Sequence, residues 1–149
     1  MKPRIPLHLI ESRVILQAMV ECKKLRMPKH YLRFIIDTGS PNSYLSEEEV
    51  THYHIPMKNR TILGHTDLGG SRFRHAQIPP LSVYLLTEDD KLIPLQMNLL
   101  ALKTTKESLD HIQTAQSLPS ILGMGFLFEQ KLSLHIIPTE NLAYLQCEA

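Results

Sequence analysis

The residues best suited to chemistry are Asp37, Thr38, Gly39 and Ser40. They directly follow Phe34-Ile35-Ile36, an apolar run that should be buried. A carboxylate at the mouth of a buried strand is costly unless hydrogen bonds compensate. One held there can take or give a proton. Gly39 lets the chain turn tightly and lets another backbone or a substrate come close. Thr38 and Ser40 bring hydroxyls that can hold a fixed geometry, and Pro41-Asn42 continue the turn. The same residue types also make an ordinary β-turn at a strand end. The apolar run favours the chemical reading, because a plain surface turn does not need one.

Other chemistry-bearing residues are less organised. Cys22 and Cys147 are too few for a disulfide scaffold and lack the paired spacing of a zinc site. His52-Tyr53-His54 would put two imidazoles on one face if extended, a candidate ligand pair. No third or fourth ligand stands nearby, so exposed histidines at a helix end are the favoured reading. No metal site and no cofactor is expected.

The elements around Asp37 read as short strands. Arg13–Glu21 has Val14, Leu16, Ala18 and Val20 on one face, with Ile5–Ile10 as a shorter strand before it. Lys23–His30 is polar, contains Pro28 and is expected to be a loop. Tyr31–Ile36 then leads into Asp37. Ser46-Glu47-Glu48-Glu49 has the form of a capping box, so a short helix should start there and end by Pro56. Arg60–His65 and Ser71–Ile78 flank Thr66-Asp67-Leu68-Gly69-Gly70 and read as a hairpin. Leu81–Thr87 and Leu92–Leu102 form a second, and Leu132–Ile137 and Leu142–Gln146 a third. Residues 103–118 read as a longer loop or insertion. Ser120-Ile121-Leu122-Gly123 precede a short helix over Gly125–Lys131. The expected fold is mostly β, with one or two short helices.

The chain has 149 residues, 43% apolar and 21% charged, which suits one domain over residues 1–149. Its 16 basic and 15 acidic side chains argue against an electrostatic nucleic-acid partner. Pro6, His8, Glu11 and Arg13 interrupt the N-terminal apolar stretch, so no signal-peptide core forms. No segment approaches the ~20 apolar residues of a membrane span. The expectation is a cytoplasmic protein without membrane contact.

Phe34-Ile35-Ile36-Asp37-Thr38-Gly39-Ser40 resembles the active-site motif of aspartic proteases. Over roughly Arg13–Gln146 the chain resembles the single-lobed, retroviral kind, the retropepsin-like family. A second motif of that family is two apolar residues and a glycine opening a short helix, which Ile121-Leu122-Gly123 fits. The resemblance implies that this segment packs behind the catalytic loop. It also implies that Thr66, Asp67, Leu68, Gly69 and Gly70 belong to a flap closing over bound peptide. Two positions depart from the viral pattern: Pro41 stands where an acidic residue usually contacts substrate backbone, and Met124 where an arginine usually joins a dimer-stabilising ion pair.

The chemistry of that family needs two carboxylates, one ionised and one protonated. Two such groups about 3 Å apart cannot both ionise, an effect best known from the aspartic proteases themselves. Among Asp37, Asp67, Asp89, Asp90 and Asp110, only Asp37 is followed by Thr-Gly or Ser-Gly. The chain is also too short for two lobes. The resemblance therefore implies a single-lobed β-barrel-like domain, active as a C2 homodimer with one Asp37 from each copy. Its Thr38 would reach across the axis, and Ser40 would donate to the Asp37 carboxylate. The expected activity is hydrolysis of a peptide or protein substrate. The alternative is a non-catalytic dimer that holds an extended peptide through backbone pairing.

Overall fold

The computed structural model describes residues 2–57, 60–68, 71–105 and 118–148. The first residues split into two three-residue strands, β1 (Arg4–Pro6) and β2 (His8–Ile10). The sequence predicts one strand here, but the chain changes sheets at Leu7. β1 pairs with the C-terminal strand, and β2 pairs with β3 (Arg13–Cys22). A 3-10 turn at Lys23–Leu25 and a left-handed Arg26 reverse the chain into β4 (Met27–Asp37). The expected loop over Lys23–His30 is therefore only its first half. Pro28 is tolerated because the β3–β4 register shifts there, from Val20 opposite His30 to Cys22 opposite Met27. A residue without an N–H fits such a break in the ladder.

After β4 come β5 (Tyr44–Leu45) and α1 (Glu47–His52). The predicted cap forms, with the Glu49 N–H donating to Ser46 Oγ at 3.3 Å. The helix stops before Pro56, and His54 is left-handed with φ 52°. His52-Tyr53-His54 is thus a helix end rather than an extended ligand pair. The Tyr53 ring is engaged on two sides, edge-on to His52 and tilted against His30, at centroid distances of 4.7 and 4.5 Å.

β6 (Ile62–Leu68) and β7 (Ser71–Gln77) form the first hairpin, and β8 (Leu81–Leu86) and β9 (Leu92–Met97) the second. The sequence predicts β9 to continue through Leu102. Instead the chain passes to β10 (Leu100–Thr104), which pairs with β7 and, in parallel, with β5. Met97, Leu99 and Ala101 are all buried in alternation, so the break leaves the hydrophobic pattern intact and the pattern cannot reveal it. β11 (Ser120–Gly123) leads into α2 (Met124–Glu129), one residue earlier than predicted. The last hairpin is β12 (Leu132–Ile137) and β13 (Leu142–Cys147).

Most strands join one sheet in the order β6-β7-β10-β5-β11-β4-β3-β8-β9, with β2 also on β3. A separate three-stranded sheet has the order β1-β13-β12. Both sheets share one core: Ile5, Leu132 and Leu145 pack in the same cluster as Leu16, Phe34, Val83 and Leu122. A smaller cluster of Tyr44, Phe73, Leu102 and Ile121 lies under the first hairpin. The fold is mostly β, with two short helices among the described residues, as the sequence predicts. Cys22 is buried and both cysteines are free. No helix among the described residues is long and apolar enough to cross a membrane, and no group of three or more potential metal ligands forms among them.

Candidate active site

Asp37 is the last residue of β4, and β4 is buried through Leu32, Phe34 and Ile36. β11 runs parallel to it, with Ile121 opposite Ile35 and Gly123 opposite Asp37. On its other side β11 touches β5, where Ile121 faces Tyr44. The two sequence motifs therefore end side by side, and the chain from Asp37 to Tyr44 loops around the end of β11.

The turn holds the acid. The Gly39 N–H donates to Asp37 Oδ1 at 2.9 Å, and the Ser40 N–H to the Asp37 carbonyl at 3.1 Å. A Cβ at position 39 would sit 3.3 Å from that same Oδ1, so glycine keeps the carboxylate uncrowded. Thr38 is exposed beside it. The Ser40 hydroxyl does not reach the carboxylate as expected: it donates to the Asn42 carbonyl at 2.7 Å and stiffens the turn instead.

Three successive amides from the second motif fix the loop from behind. Gly123 N–H donates to Ser43 Oγ at 2.9 Å, Met124 N–H to the Ser40 carbonyl at 2.7 Å, and Gly125 N–H to the Pro41 carbonyl at 3.0 Å. The first N–H groups of a helix have no partner within it. Here the loop from Asp37 to Tyr44 supplies them. The approach is so close that a Cβ at Gly123 would lie 2.1 Å from the Asn42 carbonyl oxygen, and one at Gly125 would lie 2.5 Å from that of Pro41. Gly123 is legible in the sequence through its motif, whereas Gly125 and Ser43 are not. The Gly-x-Gly spacing at 123 and 125 is the one local signal for the second glycine. Met124 packs its side chain against the core. Behind this layer, the Ser46 N–H donates to Ser120 Oγ, and the Thr104 N–H to Glu47 Oε1, tying α1 to β11 and β10.

Asp37 and Thr38 open onto a cleft of about 660 Å³ bordered by Val14, Ile35, Leu68, Ile121, Leu134 and Ile136. Leu68 comes from the first hairpin, which places that hairpin at the cleft. The expected turn over Thr66–Gly70 is shorter than predicted: Thr66, Asp67 and Leu68 continue β6, opposite Phe73, Arg72 and Ser71. Gly69 and Gly70 lie outside the described residues, as does Asp110. Leu68 packs against the smaller cluster. Beside it the Thr66 hydroxyl is bonded to His75 Nδ1 at 2.7 Å and lies 3.4 Å from the Tyr44 hydroxyl. Burial, and then the neighbouring His65, hold the His75 imidazole below its ordinary pKa. Leu134 and Ile136 were not singled out from sequence, because only the tertiary fold brings them to the cleft beside Asp37.

No family model matches the chain, and no curated protein matches it by sequence. Among solved structures, it is similar to a retropepsin-like aspartic protease from Rickettsia conorii. That likeness has a TM-score of 0.61 and 16% identity, over 98% of this chain and 92% of the other. A retroviral protease-like domain of Ddi1 from Leishmania major matches with a TM-score of 0.42 and 12% identity, over 80% of this chain and 79% of that one. The first of these likenesses is one of fold: the chain folds as a retropepsin-like aspartic protease does, as its two motifs imply.

Proposed function

We propose that this chain is a homodimeric aspartic endopeptidase, with one Asp37 from each copy forming the catalytic pair. One observation carries the reading. The Asp37 carboxylate is held by the Gly39 N–H at the end of a buried strand, and it opens onto a cleft bordered by Leu68 of the β6–β7 hairpin. The ionised Asp37 takes a proton from a water molecule, which attacks the scissile carbonyl carbon. The protonated Asp37 gives its proton to the carbonyl oxygen. As the tetrahedral species collapses, the first Asp37 passes its proton to the leaving nitrogen, the second takes one from a hydroxyl of the tetrahedral carbon, and the carbon–nitrogen bond breaks. The two carboxylates supply both base and acid, so the peptide is never bonded to the protein. The substrate lies extended under the β6–β7 hairpin, where backbone pairing suits a peptide.

Incubation with a mixed peptide library from acid to neutral pH, read by mass spectrometry, tests this. Cleavage that a statine-type inhibitor blocks, and that Asp37→Asn abolishes while the protein stays folded, is the expected result. Equal cleavage by Asp37→Asn would overturn the assignment. Binding without cleavage by the wild type would favour a non-catalytic peptide-holding module.

A further inference from the structure

The outer face of the first hairpin carries its charges in two cross-strand rows. His65 and Asp67 of β6, Arg72 and Arg74 of β7 and Lys103 of β10 are all exposed and lie on this face, while Leu68 and Phe73 lie on the other. In one row Asp67 stands opposite Arg72, an acid against a base. In the next, Arg74 has His65 opposite it on β6 and Lys103 opposite it on β10. Three basic side chains thus lie abreast, and like charges set directly opposite, as Arg74 and Lys103 are, destabilise a sheet. The row borders a cavity of about 340 Å³ lined by Met57, Arg60, Ile62, Arg74 and Lys103.

Little within the described residues offsets this charge. Lys103 Nζ lies 3.7 Å from Glu47 Oε1, an oxygen that already accepts the Thr104 N–H at 3.2 Å. Neither Arg74 nor Arg60 is ion-paired among the described residues. The Arg60 Nε–H donates to the Pro56 carbonyl at 2.8 Å, and its backbone N–H to the Met57 carbonyl at 3.2 Å. These bonds hold the arginine at the cavity and leave the terminal N–H groups of its fork for another partner. Three cations against one carboxylate leave two positive charges at the cavity. The other two lining residues, Met57 and Ile62, are apolar.

We propose that this cavity binds a phosphate monoester, with the dianion held by Arg60, Arg74 and Lys103 and the organic group resting on Met57 and Ile62. Two uncompensated charges match a dianion, whereas a carboxylate would leave one of them unmatched. Guanidinium forks suit phosphate because each can engage two of its oxygens. The volume falls at the lower end of the roughly 300–1,000 Å³ of small-molecule sites, so there is room for an organic group beside the phosphate. A bound dianion also relieves the repulsion between Arg74 and Lys103. It bridges the approach to β6, the hairpin and β10, and so ties the root of the hairpin whose far end, at Leu68, borders the Asp37 cleft. The site lies on the opposite face of the hairpin from Leu68 and uses nothing of the Asp37 machinery.

Calorimetric titration of the full chain at constant ionic strength tests this, with phenyl phosphate, inorganic phosphate and benzoate as probes. Phenyl phosphate should bind tightest, because it brings both the dianion and an apolar group. Benzoate, with one charge, should bind at least about tenfold more weakly. Arg74→Gln should weaken phenyl phosphate at least about tenfold, and Arg60→Gln, which lies outside the sheet, should do the same should the first variant disturb the hairpin. Arg72→Gln removes an equal charge from the same strand and should leave the affinity nearly unchanged. Asp37→Asn should leave it unchanged too, which keeps this test apart from the proteolytic reading. A phosphotyrosine peptide with uncharged flanks separates the sources. Tighter binding than phenyl phosphate assigns the site to a protein-borne phosphate, equal binding to a small organic phosphate, and either upholds the site. Benzoate binding as tightly as phenyl phosphate would overturn the proposal. So would equal losses in Arg72→Gln and Arg74→Gln, or no binding of phenyl phosphate at millimolar concentration.

Discussion

Gly123 shows how tightly a single residue can set this site. Its φ of −94° is open to any residue, so the demand for glycine comes from space rather than backbone conformation. The Asn42 and Ser40 carbonyl oxygens would lie 2.1 and 2.6 Å from an added Cβ, and both belong to backbone that cannot swing aside. Gly123→Ala should therefore destabilise the fold by roughly 3 kcal/mol and push the Asp37 loop outward, which denaturant melts and loss of protection at the Met124 and Gly125 amides would register. The sequence made this glycine legible through its motif, and Asp37 and Gly39 likewise. Ser43 stayed hidden because its role, accepting from the Gly123 N–H, joins residues 80 positions apart. Ser40 was legible as a turn residue, but its hydroxyl donates to the Asn42 carbonyl rather than to the carboxylate.

Among the elements, the first hairpin is where sequence and structure differ most usefully. Thr66, Asp67 and Leu68 read as turn residues because they precede two glycines, yet cross-strand partners on β7 keep them in the strand. What the sequence could not offer was the Tyr44 hydroxyl on β5, which lies beneath Thr66. Gly64 has a matching purpose: the His75 ring lies 3.2 Å from where its Cβ would be. His75 gives this hairpin a pH dependence with a definite sign. Its pKa in the fold is lowered, first by burial and then by His65, whereas the unfolded chain takes up a proton near pH 6.5. Below that pH the unfolded state binds a proton that the folded state refuses, so stability falls as pH drops until the folded imidazole also titrates. Thermal melts should show wild type losing stability below about pH 6.5, with His75→Asn losing less. Equal slopes for the two proteins would remove His75 as the cause.

At the scale of the whole molecule, alternation of apolar and polar residues was enough to announce a mostly β fold, and the motif order was enough to announce its kind. The division into two sheets was not legible, because both draw on one core and the switch falls at Leu7, itself buried. Strand order was hidden for the same reason: β11 lies between β4 and β5, although some 75 residues separate it from β5. A one-dimensional pattern records which residues are covered, not which strand covers them.

Pro6 has a further consequence at this scale. Strands that add edge to edge can keep adding, and an exposed ladder invites fibre growth. The β1 edge of the terminal sheet lacks a donor at Pro6, and its Arg4 carbonyl is already occupied by the Glu88 N–H, so it is a poor ladder for a further strand. Pro6→Val would restore a donor on that flank, and light scattering at high concentration should then report larger particles where the wild type forms none. On this reading, the imino acid near the start of the chain is a stopper against polymerisation.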